Sequence, residues 1–137
     1  MEIVTTDRPD WEALRDDALS LLRAHRAVLV RRIQRAFLRY LLDTGPDTSD
    51  AVRALVPIPP GIDPRVVGAA VRALSADCGL ITSTGRDKSR RREAHARTLD
   101  VWTIRDRSAA VAWLIANPEL PDPGPAVADP ADPFADL

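Results

Sequence analysis

The chain holds one cysteine, one methionine, three tryptophans, two phenylalanines and one tyrosine, and Lys88 is its single lysine. One thiol excludes an internal disulfide framework and suits a reducing compartment. His25, His95 and Cys78 stand far apart in sequence, so no metal-ligand spacing is present. Glycine-rich phosphate loops and a GxSxG nucleophile elbow are missing too. These absences argue against an enzyme: no catalytic residue, metal, cofactor or small-molecule substrate is expected. No apolar run approaches the roughly 20 residues that cross a bilayer. The opening MEIVTTDRPDWEALRDD is acidic and lacks the apolar segment of a signal peptide. No membrane partner is expected, and the expected location is the cytoplasm.

What is present is enough for one globular domain. The 137 residues are 45% hydrophobic, which excludes wholesale disorder. The net charge of −1 conceals a division. Residues 118–137 carry five acids and no base, and residues 1–117 carry a net +4. The acidic segment PELPDPGPAVADPADPFADL has six prolines, a density that forbids helix and sheet alike. It reads as a disordered tail, either solubilising or, through Phe134, a docking peptide. A third use is to compete with nucleic acid for the basic loop, because a tethered segment acts at high effective concentration.

Periodicity orders the rest. After Pro9 no Gly or Pro occurs until Gly45. Thr6 or Asp7 can cap, and Trp11, Leu14, Ala18, Leu21 and Leu22 recur at helical spacing. Leu29, Ile33, Phe37, Tyr40 and Leu41 do the same in a different phase, which predicts a bend or short break near His25, with a single long helix as the alternative. Another helix starts at Thr48 or Ser49 and runs to about Val56. The segment PIPPGI interrupts it, and a further helix opens with Asp63 as cap and Pro64 at its first position. That helix presents Val66, Val67, Ala70, Val71 and Leu74 on one face and ends at Gly79. Cys78, at its end, is expected to be a buried small hydrophobe. Two β-type runs follow, LITST and TLDVWTI, joined by the thirteen-residue loop GRDKSRRREAHAR. A last helix over residues 106–117 is expected to point Val111, Leu114 and Ile115 one way. The fold class is therefore mainly α with a small β-hairpin, an α+β chain.

Helix, helix, turn, helix and a basic-tipped hairpin is the layout of a winged helix-turn-helix. The segments PRVVGAAVR, GLI and HARTLDVW resemble small winged-helix proteins of bacterial viruses and prophages. Pro64, Arg65, Gly68, Ala69, Ala70 and Arg72 carry the first part of the likeness. Gly79, Leu80 and Ile81 carry the second, and His95, Arg97, Val101 and Trp102 the third. The resemblance covers roughly residues 20–104. It departs at Pro46-Asp47-Thr48-Ser49-Asp50, where the family starts its helix with an aromatic-hydroxyl-x-acid-acid step. The chain also departs from the family by continuing into a further helix. The expected division is an N-terminal helical extension (1–25), a winged-helix domain (26–105), a C-terminal helix (106–117) and the tail (118–137).

Residues Arg86 to Arg97 hold six bases against Asp87 and Glu93, a net +4 over twelve residues. Arg86, Lys88, Arg90, Arg91, Arg92 and Arg97 are the candidate phosphate contacts of the loop, since guanidinium forks match phosphate oxygens. His95 is expected to order the loop's base. Arg65 and Arg72, outward on the presumed recognition helix, are the candidates for guanine edges. Gly68 and Ala69 beside them either let that helix approach a surface or let Gly68 pack tightly on the Thr48–Val56 helix. No outward Asn or Gln is there to read adenine. The expected partner is double-stranded DNA, bound mostly through phosphates with weak sequence preference, in phage or plasmid transcription control or replication. The alternative is a protein-interaction module, with a homodimer through the N-terminal helices. Arg23, Arg26, Arg31, Arg32, Arg35 and Arg39 form a second basic surface, facing either an anionic partner or groups elsewhere in the fold.

Overall fold

The stretch free of Gly and Pro forms one unbroken helix, α1 (Trp11–Thr44), in the computed structural model of the chain, which describes residues 10–89 and 97–124. No break occurs near His25, in contrast to the expectation. The Ala24–Ala27 step contains no helix breaker, and a change in apolar phase needs none when the two halves of a helix have different surroundings. Here they do. Residues 29–120 form one compact unit, and residues 10–28 lie outside it. Asp10 caps the helix, its Oδ1 accepting from the N–H groups of Glu12 and Ala13 at 3.1 Å. The expected caps Thr6 and Asp7 fall outside the described residues.

Within the unit Leu29–Leu120, α1 supplies Leu29, Ile33, Phe37, Leu38 and Leu41 to the core. Gly45, at φ +111°, ends the helix, and α2 (Asp50–Leu55) adds Val52. The prolines of PIPPGI separate α2 from α3 (Val66–Ala76). Asp63 Oδ1 accepts from the Arg65 N–H at 2.9 Å and opens the turn into α3. Val66, Val67, Ala70, Val71 and Leu74 are all buried, as their spacing predicts. Burying each large aliphatic side chain contributes about 1.5–3 kcal/mol. Gln34 is the polar exception, its buried amide donating to Ala70 O at 3.1 Å and tying α1 to α3.

Gly79 adopts φ +64°, and the Leu80 N–H bonds Leu74 O at 2.9 Å, which turns the chain from α3 into β1 (Ile81–Lys88). Cys78, in this turn, is exposed rather than buried, because the helix ends before its side chain can reach the core. Strand β1 pairs antiparallel with β2 (Thr98–Ile104), from Ile81 opposite Ile104 to Lys88 opposite Thr98, with a register shift at Thr84. The second strand coincides with TLDVWTI. The first runs four residues past the expected LITST, so Arg86 and Lys88 stand on a strand and not in the loop. Gly85 to Lys88 pair with Thr98 to Val101, and the Ser89 N–H bonds Arg97 O at 2.7 Å, closing the ladder. The Ser89 hydroxyl also donates to Asp50 Oδ2 at 2.6 Å, pinning the strand end to the start of α2. Asp47 forms an isolated bridge with Trp102 through two backbone hydrogen bonds of 3.2 and 2.8 Å, adding a short third rung that periodicity did not reveal.

The last helix, α4 (Arg107–Ala116), is capped by Asp106, whose side chain accepts from the Ala109 N–H. Arg107 donates to Leu42 O at the end of α1. At the other end of α4, Arg35 donates to Leu114 O (2.6 Å) and Asn117 O (2.8 Å), and Arg31 donates to Pro118 O. α4 therefore runs antiparallel to the second half of α1. Each helix has its C-terminal carbonyls met by a cation of the other, which favours both dipoles. Arg31 also lies over the Trp113 ring, 5.8 Å from its centroid. This rotation places Ala110, Trp113 and Leu114 against the core and leaves Val111 and Ile115 exposed, correcting the expected face.

Among the described residues, four helices and a two-stranded antiparallel hairpin make an α+β architecture. None of the helices among the described residues is long and apolar enough to cross a membrane. Residues 118–124 form neither helix nor strand, and the remainder of the acidic segment lies outside the described residues.

Candidate functional site

The outer face of α3 and the loop-side half of the hairpin line a groove of about 390 Å³. From α2 and its leading turn come Ser49 and Arg53, and from α3 and its leading turn Arg65, Gly68, Ala69 and Arg72. Arg86 of β1 and Arg97, Thr98, Asp100 and Trp102 at and along β2 complete the wall. Five arginines thus line one space, and Asp100 is the single acid among the lining residues.

Local sequence explains each placement. Arg65, Ala69 and Arg72 alternate with the buried valines and alanine of α3, so a helical repeat turns them outward as a set. Arg86 sits opposite Asp100 in the ladder, and their 3.9 Å ion pair is a solvent-exposed one. A pair so exposed contributes little, and it does not neutralise its neighbours. Asp100 Oδ1 is shared with the Ser83 hydroxyl at 3.1 Å. Arg65, Arg72 and Arg97 make no ion pair with any described residue. Arg53 is half-buried and donates to Pro64 O at 3.4 Å, which holds it at the groove's edge.

Gly68 lies on the floor. A Cβ built there would meet nothing within 4 Å, so the glycine does not serve tight packing on α2, the second of the two readings of this residue. Its absence of side chain instead lowers the floor between Arg65 and Arg72.

Of the candidate residues, Arg65, Arg72, Arg86 and Arg97 converge on this groove. Lys88 does not line it and stands exposed at the far end of β1. Arg90, Arg91, Arg92 and His95 lie outside the described residues. Arg53 was missed by the sequence reading, although it stands four residues after Ser49 and shares its helical face. The second basic surface divides. Arg35 donates to Leu114 O of α4 and to Asn117 O, Arg31 donates to Pro118 O just past that helix, Arg32 pairs with Glu119 at 3.7 Å, and Arg39 is exposed.

Among the described residues no three His, Cys, Asp or Glu side chains gather as metal ligands would. A cationic groove of this kind can seat the oxyanions of an extended polyanion, with Ser49 and Thr98 as added hydroxyl donors. No known protein family matches the chain, and neither a curated protein sequence nor a solved structure matches it.

Proposed function

We propose that this chain is a DNA-binding protein of winged-helix type, in which α3 is the recognition helix and the β1–β2 hairpin the wing. The observation that carries this reading is the groove shared by α3 and the hairpin, where five arginines face one carboxylate. A fold that retained such a cluster for its own stability would pair it, since gathered like charges repel. Arg65, Arg72 and Arg97 have no such partner among the described residues, which supports a polyanion as their ligand.

Arg65 and Arg72 approach base edges in the major groove, and Arg86, Lys88, Arg90, Arg91, Arg92 and Arg97 take phosphates or enter the minor groove. The open floor at Gly68 admits the strand closely. With two arginines as the base-reading groups, binding is mostly electrostatic and weakly selective. Phage or plasmid transcription control, or replication, is the setting that the family likeness favours.

The test is fluorescence anisotropy with duplex DNA, single-stranded DNA and RNA across a salt series. Duplex DNA should bind tightest, with log K falling against log salt at a slope of about −4 to −6, from roughly five to six phosphates. A flat salt response overturns the proposal. The protein-interaction reading draws on a different surface, the exposed Trp11, Leu14 and Leu22 of residues 10–28.

A further inference from the structure

Val66, Val67, Ala70, Val71 and Leu74 turn inward on α3, while Arg65, Ala69 and Arg72 stand exposed along its outer face. At steps of four and three positions, these three fall within about 60° of one another around the helix axis. Neither arginine has an ion pair among the described residues. Gly68 beside them leaves open space where a Cβ would stand. All four line the groove, with Arg86 and Arg97 on its hairpin side. The stripe therefore sets one methyl group between two long cations, and that order has a matching surface on DNA.

We propose, on the basis of the DNA reading above, that this stripe selects two G·C pairs with a T·A pair between them. A guanidinium carries parallel donors, and in the major groove only guanine offers two adjacent acceptors, O6 and N7. Adenine sets a donor amine beside its N7, cytosine presents a donor, and thymine has a single acceptor. Each matches the guanidinium fork less well. Ala69 offers only a methyl, and it packs on the thymine C5-methyl, the one methyl group that a base presents there. Helix α3 contains no Asn or Gln to read adenine.

The spacing follows from the helix. Arg72 follows Arg65 by seven positions, a rise of about 10.5 Å. That length covers about three base-pair steps of ~3.4 Å when a helix follows the groove, and about two when it enters at an angle. The two guanines, on either strand, therefore stand two or three steps apart. Ala69 lies about 6 Å from Arg65 along the axis and meets the pair between them. The element is short, and the phosphate contacts supply the rest of the affinity.

The test is fluorescence anisotropy of the full chain with duplexes of equal length and composition. Each holds two G·C pairs, set from one to five steps apart among T·A pairs. The two-step or three-step duplex should bind about tenfold tighter than the others. Replacing either of its guanines by 7-deazaguanine, which lacks the N7 acceptor, should lower affinity about tenfold. Uracil in place of the intervening thymine removes only the methyl and should lower it about threefold. Arg65→Ala should abolish the sensitivity to 7-deazaguanine at one guanine and Arg72→Ala at the other, both keeping the salt slope. Equal affinity at every spacing, or arginine variants that change the sensitivity at neither guanine, overturns the proposal. Equal affinity for the uracil duplex removes Ala69 from the contact. If all duplexes bind alike while log K still falls with salt, base selection fails and the DNA reading stands. If no duplex binds, both fail.

Discussion

Arg31, Arg32 and Arg35 on α1 and Arg65, Arg72 and Arg97 around the groove are one residue type at similar density, set in contrasting surroundings. The first group meets the carbonyls of Leu114, Asn117 and Pro118 and the carboxylate of Glu119. The second meets none of these and no carboxylate among the described residues. The difference teaches that arginine density alone does not identify a binding surface. A helix C-terminus nearby converts cations into structural caps, and a site is left where no such acceptor lies within reach.

The comparison breaks most easily at the groove. Arg65→Ala with Arg72→Ala should lower duplex DNA affinity by ~2–4 kcal/mol, roughly 30- to 1,000-fold, and leave the salt slope little changed, since neither side chain takes a phosphate. The melting temperature should hardly move, because neither side chain caps or pairs in the fold. An unchanged affinity would remove the groove from the function. Arg35→Ala should behave in the opposite way. Losing two charge-assisted bonds to the end of α4 should cost about 2 kcal/mol and lower the melting temperature by ~10 °C, with DNA affinity altered less than threefold. Thermal denaturation beside anisotropy separates the two groups.

Asp100→Asn sharpens the contrast from the other side. It removes the one acid lining the groove and releases Arg86, so affinity at low salt should rise about threefold, a gain that fades as salt screens it. Gly68→Ala carries the smallest effect. The space is open, so helix α3 should gain about 0.5 kcal/mol, while DNA binding should weaken a few-fold if the strand approaches the floor. Stabilisation with unchanged binding would place the strand elsewhere along the groove.

Much of the fold was legible because local signals and tertiary packing agreed. Asp63-Pro64 and Gly79 bracket α3 by their backbone chemistry, and its five buried residues follow the helical repeat. β2 followed from its alternation. Strand β1 was read short because Gly85 to Lys88 have no β-forming composition and depend on cross-strand partners, Arg86 on Asp100 among them. The rung between Asp47 and Trp102 joins residues 55 positions apart and has no local signature. Of the groove's lining residues, Arg65, Arg72, Arg86 and Arg97 were singled out by charge and position. Arg53 was not, because an isolated arginine on a six-residue helix gains meaning only beside α3.

Composition and spacing alone determined that this chain is α+β, where its helices α2 to α4 stand, and that its positive charge gathers around α3 and the hairpin. Those properties depend on residues close in sequence, whose geometry the backbone dictates. Which arginines find acceptors within the fold was decided only when α4 docked along α1 and brought carbonyls to Arg31 and Arg35. That choice depends on groups roughly 80 residues apart, and only tertiary packing brings them within hydrogen-bonding range.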